Sequence, residues 1–436
     1  MPLSRKILFL YGLPALPLAA LVLPVYVFLH PHYAALGVPL GVLGTVLLLT
    51  RLWDAVTDPL VGWLSDRFQT PIGRRKPWML AGLPLVLAGT WFLLVPPPDV
   101  GAGYLLGWSG LLFLGWTLVM VPLTAWGAEL SGDYHERTRV SAFREGAAVV
   151  GTVTALVLPV ALGAGAAGQE GEALRVLALF VLVALPVTML PALVFVPEPP
   201  PLAGPRPRLR EGIAVLAGNA PFRRLVLAYV LNGIANGLPS QLFFFFVQFR
   251  LVEGERAGPL LLAYFASGLL AVPLWLGLSR RYGKHRTWCA AMIWACGWFA
   301  VVPFLGAGDF VPFLVVCIAT GAALGADLIL PSAMQADVVD ADTARTGTAR
   351  TGLYFALWGL ATKLAVALAA LGLTAAGLFG FSVQGPNDET ALTALTLLYS
   401  LVPILFKLGA IALLWHWPLD EAAQVELRRR IAAQRN

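Results

Sequence analysis

Residues Thr50–Pro77 read TRLWDAVTDPLVGWLSDRFQTPIGRRKP, and the first half of this stretch lies inside an apolar run far too long for a soluble protein. That half nevertheless carries Arg51, Asp54 and Asp58. Helical spacing sets the two carboxylates one turn apart, with Cβ atoms about 5–6 Å from each other on one face. Arg51 shares that face. Two carboxylates at bilayer depth are costly unless they meet a cation, water or a basic partner. Pro59 has no N–H to give the carbonyl of Ala55, four residues back. Two carboxylates, the Thr57 hydroxyl and a freed carbonyl suit a small hard cation. The alternative is an interhelical salt bridge that uses Arg51.

The second half is a short basic loop of the pattern GxxxDR…GRR, formed by Gly62, Asp66, Arg67, Gly73, Arg74 and Arg75. Loops of this kind join helices 2 and 3 of major facilitator transporters. The whole string DAVTDPLVGWLSDR…GRRKPW resembles the cation-coupled glycoside–pentoside–hexuronide symporters, the melibiose-carrier-like branch of that superfamily. The resemblance recurs along nearly the whole chain. It implies an all-α fold of twelve membrane helices in two pseudo-symmetric six-helix bundles. It also implies that Asp54 and Asp58 bind a coupling Na⁺, Li⁺ or H⁺, with Thr57 standing where the best-studied members have Asn.

Composition agrees with a polytopic membrane protein: of 436 residues, 58% are hydrophobic and 12% charged. The net charge of +6 sits in loops. Lys and Arg crowd the N-terminus, the C-tail and the stretches near 67–76, 137–139, 206–224, 280–286 and 345–350, whereas His30–Leu36, Pro96–Tyr104 and Phe381–Ala391 hold none. This alternation predicts cytoplasmic termini in a cell (inner) membrane and leaves no case for nucleic acid. Cys289, Cys296 and Cys317 fall in apolar segments and read as packing residues. The five His residues share no ligand spacing on a helix face, so no metal site is expected. Arg5–Lys6 before an apolar run resembles a signal peptide, but the run continues to Leu29, which reads as a retained first helix.

Twelve spans are predicted, at about 7–29, 37–63, 78–97, 104–128, 140–163, 174–196, 222–250, 258–278, 288–306, 310–334, 351–379 and 391–416. A Pro- and Arg-rich linker, PEPPPLAGPRPRLREG, separates the sixth from the seventh. The expected organisation is a bundle over 1–196, a cytoplasmic linker over 197–221, a bundle over 222–417 and a cytoplasmic tail over 418–436. The halves are weak repeats. Gly62–Trp78 corresponds to Gly277–Trp288, and Ala128–Gly146 to Gln335–Gly352. Each pairs acids at a helix end with Arg at the start of the next. Asp66, Arg67, Arg74, Arg75, Arg137, Asp337, Asp340 and Arg345 are therefore expected to form cytoplasmic charge bridges that gate the transporter. The alternative is that they serve as topology signals.

Further polar groups lie within the spans. On span 4, Thr117, Met120 and Thr124 share a face, with Trp116 a turn before Met120. By resemblance, Thr117 joins the cation site and Trp116 the sugar site, although a membrane Trp also packs without function. Arg144 opens span 5 beside Ala147, Ala148 and Gly151, and matches the family's substrate-contacting Arg. A counter-charge to Asp54 or Asp58 is the other reading. Lys363 in span 11 stands over Gly352, Ala356 and Gly359, and matches the family's Lys near the cation site. Tyr354 and Trp358 are either a stacking wall for substrate or packing. Asp327 in span 10 belongs to no motif of the melibiose carriers. It needs a basic partner, and Lys363 is the expected one. Lys407 in span 12 reads as snorkelling or peripheral.

The resemblance fails where sugar is read. The carriers hold a polar Lys and Asp in helix 1, where Leu16 and Pro17 stand here, and a second acid in helix 4, where Met120 stands. The substrate-binding set is thus Trp116, Met120, Arg144, Asp327, Trp358 and Lys363. The expected function is alternating-access symport of a small organic solute with Na⁺ or H⁺, sugar-like by resemblance, with no cofactor and a working monomer. Loss of the sugar-reading acids opens the alternative of a lysolipid or other amphipath. A receptor or scaffold is the rival of another class. No nucleotide-binding loop, metal triad or nucleophile–base pair points to an enzyme.

Overall fold

Apolar runs of this length must satisfy their backbone hydrogen bonds internally, which leaves helix as the local solution. The computed structural model describes residues 3–433 except 24, 26–28, 30–31, 34–35, 37, 39, 99, 132, 165–169, 199–213, 215, 217, 349 and 383–385. Among these, the only β pairing is an isolated bridge, Thr70 with Gly73. Most of the linker expected over 197–221 lies outside the described residues, as does the side chain of Arg51.

The helices are α1 (Arg5–Gly12), α2 (Ala15–Leu23), α3 (Leu40–Arg67), α4 (Lys76–Leu94), α5 (Ala102–Glu129), α6 (Tyr134–Ala161), α7 (Glu170–Phe195) and α8 (Ala220–Phe245). There follow α9 (Ala257–Tyr282), α10 (Lys284–Phe299), α11 (Phe310–Thr346), α12 (Thr351–Leu378), α13 (Glu389–Leu414) and α14 (Glu421–Ala433). Eleven described segments are long and apolar enough to cross a membrane. The predicted second span is α3, whose 28 residues rise about 42 Å.

Three of the differences from the sequence reading have a local physical cause. The first span is broken into α1 and α2 at Leu13–Pro14, because proline supplies no N–H to carry the ladder through. α6 starts earlier than expected, since the Asp133 carboxylate accepts from the N–H groups of His135 and Glu136 at 2.9 Å and caps the helix. α11 runs to Thr346, far past the predicted end at 334. Its polar last turns read as loop, but their acids are neutralised by ion pairs, described below.

The chain divides into two compact units, Met1–Ala214 with Val339–Leu357 and Arg428–Asn436, and Val215–Val338 with Trp358–Leu427. In the first, Tyr11 and Trp126 meet edge to face at 6.0 Å in the core. The Tyr11 hydroxyl donates to the Leu123 carbonyl, and Trp126 Nε1 donates to Pro197 O, tying the end of α7 to α5. α3 crosses the start of α12 at Gly62, where a Cβ would lie 2.5 Å from the Gly352 carbonyl and 2.7 Å from the Ala356 Cβ. Only glycine allows that approach. In the second unit, Phe246 stacks on Tyr399 at 4.6 Å, and Trp275 Nε1 donates to the Ala322 carbonyl at 2.6 Å.

Candidate cation and substrate site

α3 delivers Asp54, Thr57 and Asp58 to one buried face, at 1%, 5% and 2% exposure. α5 brings Thr117, 1% exposed, and its hydroxyl donates to Asp58 Oδ1 at 2.7 Å. The Thr57 hydroxyl donates to the Trp53 carbonyl at 3.0 Å and keeps its lone pairs for another partner. Two carboxylates and two hydroxyls on adjacent helices form a donor set of hard oxygens, which fits a small cation. The helix continues through Pro59. Trp116 and Met120, on the same helix as Thr117, are partly buried.

Arg144 is held otherwise than expected. Its Nε and Nη2 donate to Glu145 Oε1, and the Tyr11 hydroxyl lies against it. The counter-charge reading toward Asp54 or Asp58 gives way to a pair with the adjacent glutamate, which sequence reasoning passed over. No pattern marks Glu145 beyond its being an acid beside the Arg.

The basic loop closes on carboxylates. Gly73 turns at φ 120°, a backbone conformation that favours glycine, and sets Arg74 and Arg75 side by side. Arg74 Nη2 donates to Glu129 at 2.7 Å. Arg75, fully buried, donates to Glu129 at 2.7 Å, Asp66 at 2.6 Å and Ser65 at 2.8 Å. Burial works against the Arg75 charge, but Glu129 and Asp66 outweigh it and push its pKa above the usual arginine range. The Asp66 carboxylate also accepts from the N–H groups of Gly352 and Leu353, capping the start of α12. Behind the loop, Glu198 accepts from the backbone N–H groups of Arg74, Arg75 and Lys76 at 2.6, 2.7 and 3.4 Å. Sequence reasoning missed Glu129 and Glu198. Each is a lone acid at a helix end, far in sequence from the arginines it serves.

Arg137 pairs with Asp340 at 2.7 Å. Asp342 bridges Arg350 at 2.8 Å and Arg345 at 3.2 Å. Asp337 instead meets Lys284 at 2.6 Å, both 1% exposed. Arg67 stands apart from these pairs: it is exposed and its guanidinium covers the Trp63 ring at 5.2 Å. It is one residue past Asp66, which turns it from the face that Asp66 shares with Arg75.

In the second unit Trp358 stacks on Tyr229 at 3.9 Å, and the hydroxyls of Tyr229 and Thr362 lie 3.0 Å apart. Lys363 is partly buried on α12. The expected Asp327–Lys363 pair is corrected. Asp327 accepts from Trp288 Nε1 at 2.6 Å and Asn236 Nδ2 at 2.8 Å, and its cation is Lys407 at 3.6 Å. Lys407 neither snorkels nor lies at the periphery; it is 1% exposed. Asn232 and Asn236 one turn apart on α8 were the available signal.

A family model described as MFS/sugar transport protein matches residues 10–421. The chain belongs to that family. Its members are transporters of the major facilitator superfamily, and this chain is accordingly a multi-pass membrane transporter. Similar proteins include an uncharacterized symporter of Synechocystis sp., 24% identical over 91% of each chain. The sodium-dependent lysophosphatidylcholine symporter 1-A of Danio rerio is 26% identical over 86% of this chain and 78% of its own. The sphingosine-1-phosphate transporter of Mus musculus is 24% identical over 90% of this chain and 86% of its own. Among solved structures, the E. coli fucose:proton symporter superposes with a TM-score of 0.64 at 13% identity, covering 93% of this chain and 97% of that one. A bacterial homologue of ferroportin superposes with a TM-score of 0.67 at 15% identity, covering 94% and 98%. These likenesses carry the fold, which is the twelve-helix one expected from the sequence.

Proposed function

We propose that this protein is a cation-coupled symporter that moves Na⁺ together with an amphipathic, lysolipid-like solute. The observation that carries the coupling is the buried Asp58–Thr117 contact beside Asp54 and Thr57. A Na⁺ bound there offsets one of the two carboxylate charges, which lowers the cost of holding the pair at membrane depth. One charge moved down a potential of 100 mV yields about 2.3 kcal/mol. The cargo reading rests on Leu16, Pro17 and Met120, apolar where sugar carriers hold a Lys and two acids. It also draws support from relatives named as sodium-dependent lysophosphatidylcholine symporters. Within the first unit Arg144 supplies a cationic group for an anionic headgroup, and Trp116 and Met120 supply apolar walls; within the second, Lys363 and Trp358 supply the same two chemistries. Asp66, Arg74, Arg75, Arg137 and Asp340 act as the cytoplasmic gate, and the bundles 1–196 and 222–417 are the moving parts of a working monomer with both termini cytoplasmic.

A second reading, symport of a sugar in the manner of the melibiose carriers, draws on the description of the matching family. The test is uptake into proteoliposomes of labelled lysophosphatidylcholine or a galactoside, with an imposed Na⁺ or pH gradient, scored after albumin extraction of lipid from the outer leaflet. Na⁺-driven lysolipid accumulation, lost in Asp58→Asn, is the expected result. Galactoside accumulation alone would favour the second reading, and no ion-driven flux of any solute would sink transport coupling at this site.

A further inference from the structure

A charged site outside the α3–α5 cluster lies in the second unit and is unused by the mechanism above. Lys407 Nζ donates to Asn232 Oδ1 at 2.8 Å and Asn236 Oδ1 at 2.8 Å, and stands 3.6 Å from Asp327 Oδ2. Asp327 is oriented by Trp288 Nε1 on Oδ1 and by Asn236 Nδ2 on Oδ2. Asn236 thus gives its N–H to the carboxylate and its carbonyl to the ammonium, so both ends of the amide are used. The ammonium sits among three oxygens, from one carboxylate and two carboxamides, on α8 and α11. That is the donor set hard monovalent and divalent cations take, here filled by a compact point charge on a flexible stem. Lys407 is 1% exposed, so its side chain is out of contact with solvent in this conformation. Tyr264 and Cys296 are the other titratable groups near the pair.

We propose that the Lys407 ammonium is a tethered cation occupying a second monovalent-cation cradle, built from Asp327, Asn232 and Asn236. A covalently held charge cannot dissociate, so this half of the protein is neutralised without taking an ion from solution. Coupling is then left to α3. Removing the lysine amine while keeping Asp327 should convert the cradle into a site for free Na⁺ or K⁺.

The experiment uses full-length protein in detergent with Asp54→Asn and Asp58→Asn, so that the α3 site contributes nothing and failure of the coupling proposal has no bearing. In that background Lys407→Ala should gain a melting temperature that climbs with the logarithm of NaCl or KCl concentration against equal choline chloride, as ligand binding to the folded state requires. The parent and Lys407→Ala/Asp327→Asn should show no such slope. A folded Lys407→Ala variant with no cation-specific slope overturns the proposal, as does one stabilised by acid alone. If Lys407→Ala is recovered only from high-salt preparations while Lys407→Ala/Asp327→Asn folds in choline chloride, the need for a cation is shown directly. If the double variant also fails to fold, the lysine is a packing element and the proposal falls.

Discussion

Arg75→Ala tests the charge cluster at the basic loop. The guanidinium is fully buried and joins Asp66, Glu129 and Ser65 at 2.6–2.8 Å. Its removal leaves two largely buried carboxylates without the cation they share, and breaking a buried pair from one side costs about 3–5 kcal/mol. Two compensations place the effect at the low end. Glu129 keeps Arg74, and Asp66 keeps the N–H groups of Gly352 and Leu353. A loss of about 3 kcal/mol shifts the equilibrium toward the open cluster by roughly 100-fold, at 1.4 kcal/mol per decade. The reporter is a cysteine at Thr348, 4% exposed, in a background without the three native cysteines. Its maleimide labelling rate follows the population of the open form when opening is fast relative to labelling. Arg75→Ala should raise that rate by about two decades, and Arg67→Ala, exposed and outside the cluster, should leave it within a factor of about two. An unchanged rate in a folded Arg75→Ala protein would refute the argument that these carboxylates hold the segment closed.

Thr117→Val removes the hydroxyl that donates to Asp58; hydrogen bonds to charged groups contribute about 1.5–3 kcal/mol, so the Na⁺ concentration for half-maximal uptake should rise about tenfold or more, read from initial rates across a Na⁺ series. Glu198→Gln keeps the shape but removes the charge from the start of α4, and should lower thermal stability by about 0.3–1 kcal/mol at low ionic strength; identical melting curves would assign Glu198 no electrostatic role. Gly62→Ala places a methyl 2.5 Å from the Gly352 carbonyl, and the strain should cost about 1–3 kcal/mol, seen as lost folded yield that Gly352→Ala does not restore.

The acids that matter most in α3 could be named from local spacing alone. Asp54, Thr57 and Asp58 fall on one face whatever the helix packs against, because 3.6-residue periodicity is a property of the chain itself. Hydropathy likewise located the spans, and Gly73 with its two arginines announced a tight basic turn. What spacing could not supply was the partner of each charge. Arg75 finds Glu129 across 54 residues and Asp66 across 9, and the Glu198 carboxylate reaches the Arg74 N–H across 124. Such pairings depend on which helices are neighbours and how they are rotated, information spread over the whole apolar surface.

Lys407 and Asp327 show the same division. Sequence established that both charges lie in membrane helices and that Asp327 needs compensation, since an isolated charge there is too costly to persist, but it read Lys407 as snorkelling or peripheral. It suggested Lys363 as the counter-charge, as the lysine expected to face the same cavity. Tertiary packing decided for Lys407, by bringing α13 against α8 so that Asn232 and Asn236 cradle its amine. The continuation of α11 to Thr346 has the same origin: its polar turns become stable helix once Asp337 and Asp340 meet Lys284 and Arg137. The chain by itself determines which groups cannot be left alone in an apolar medium; only the packed helices determine what satisfies them.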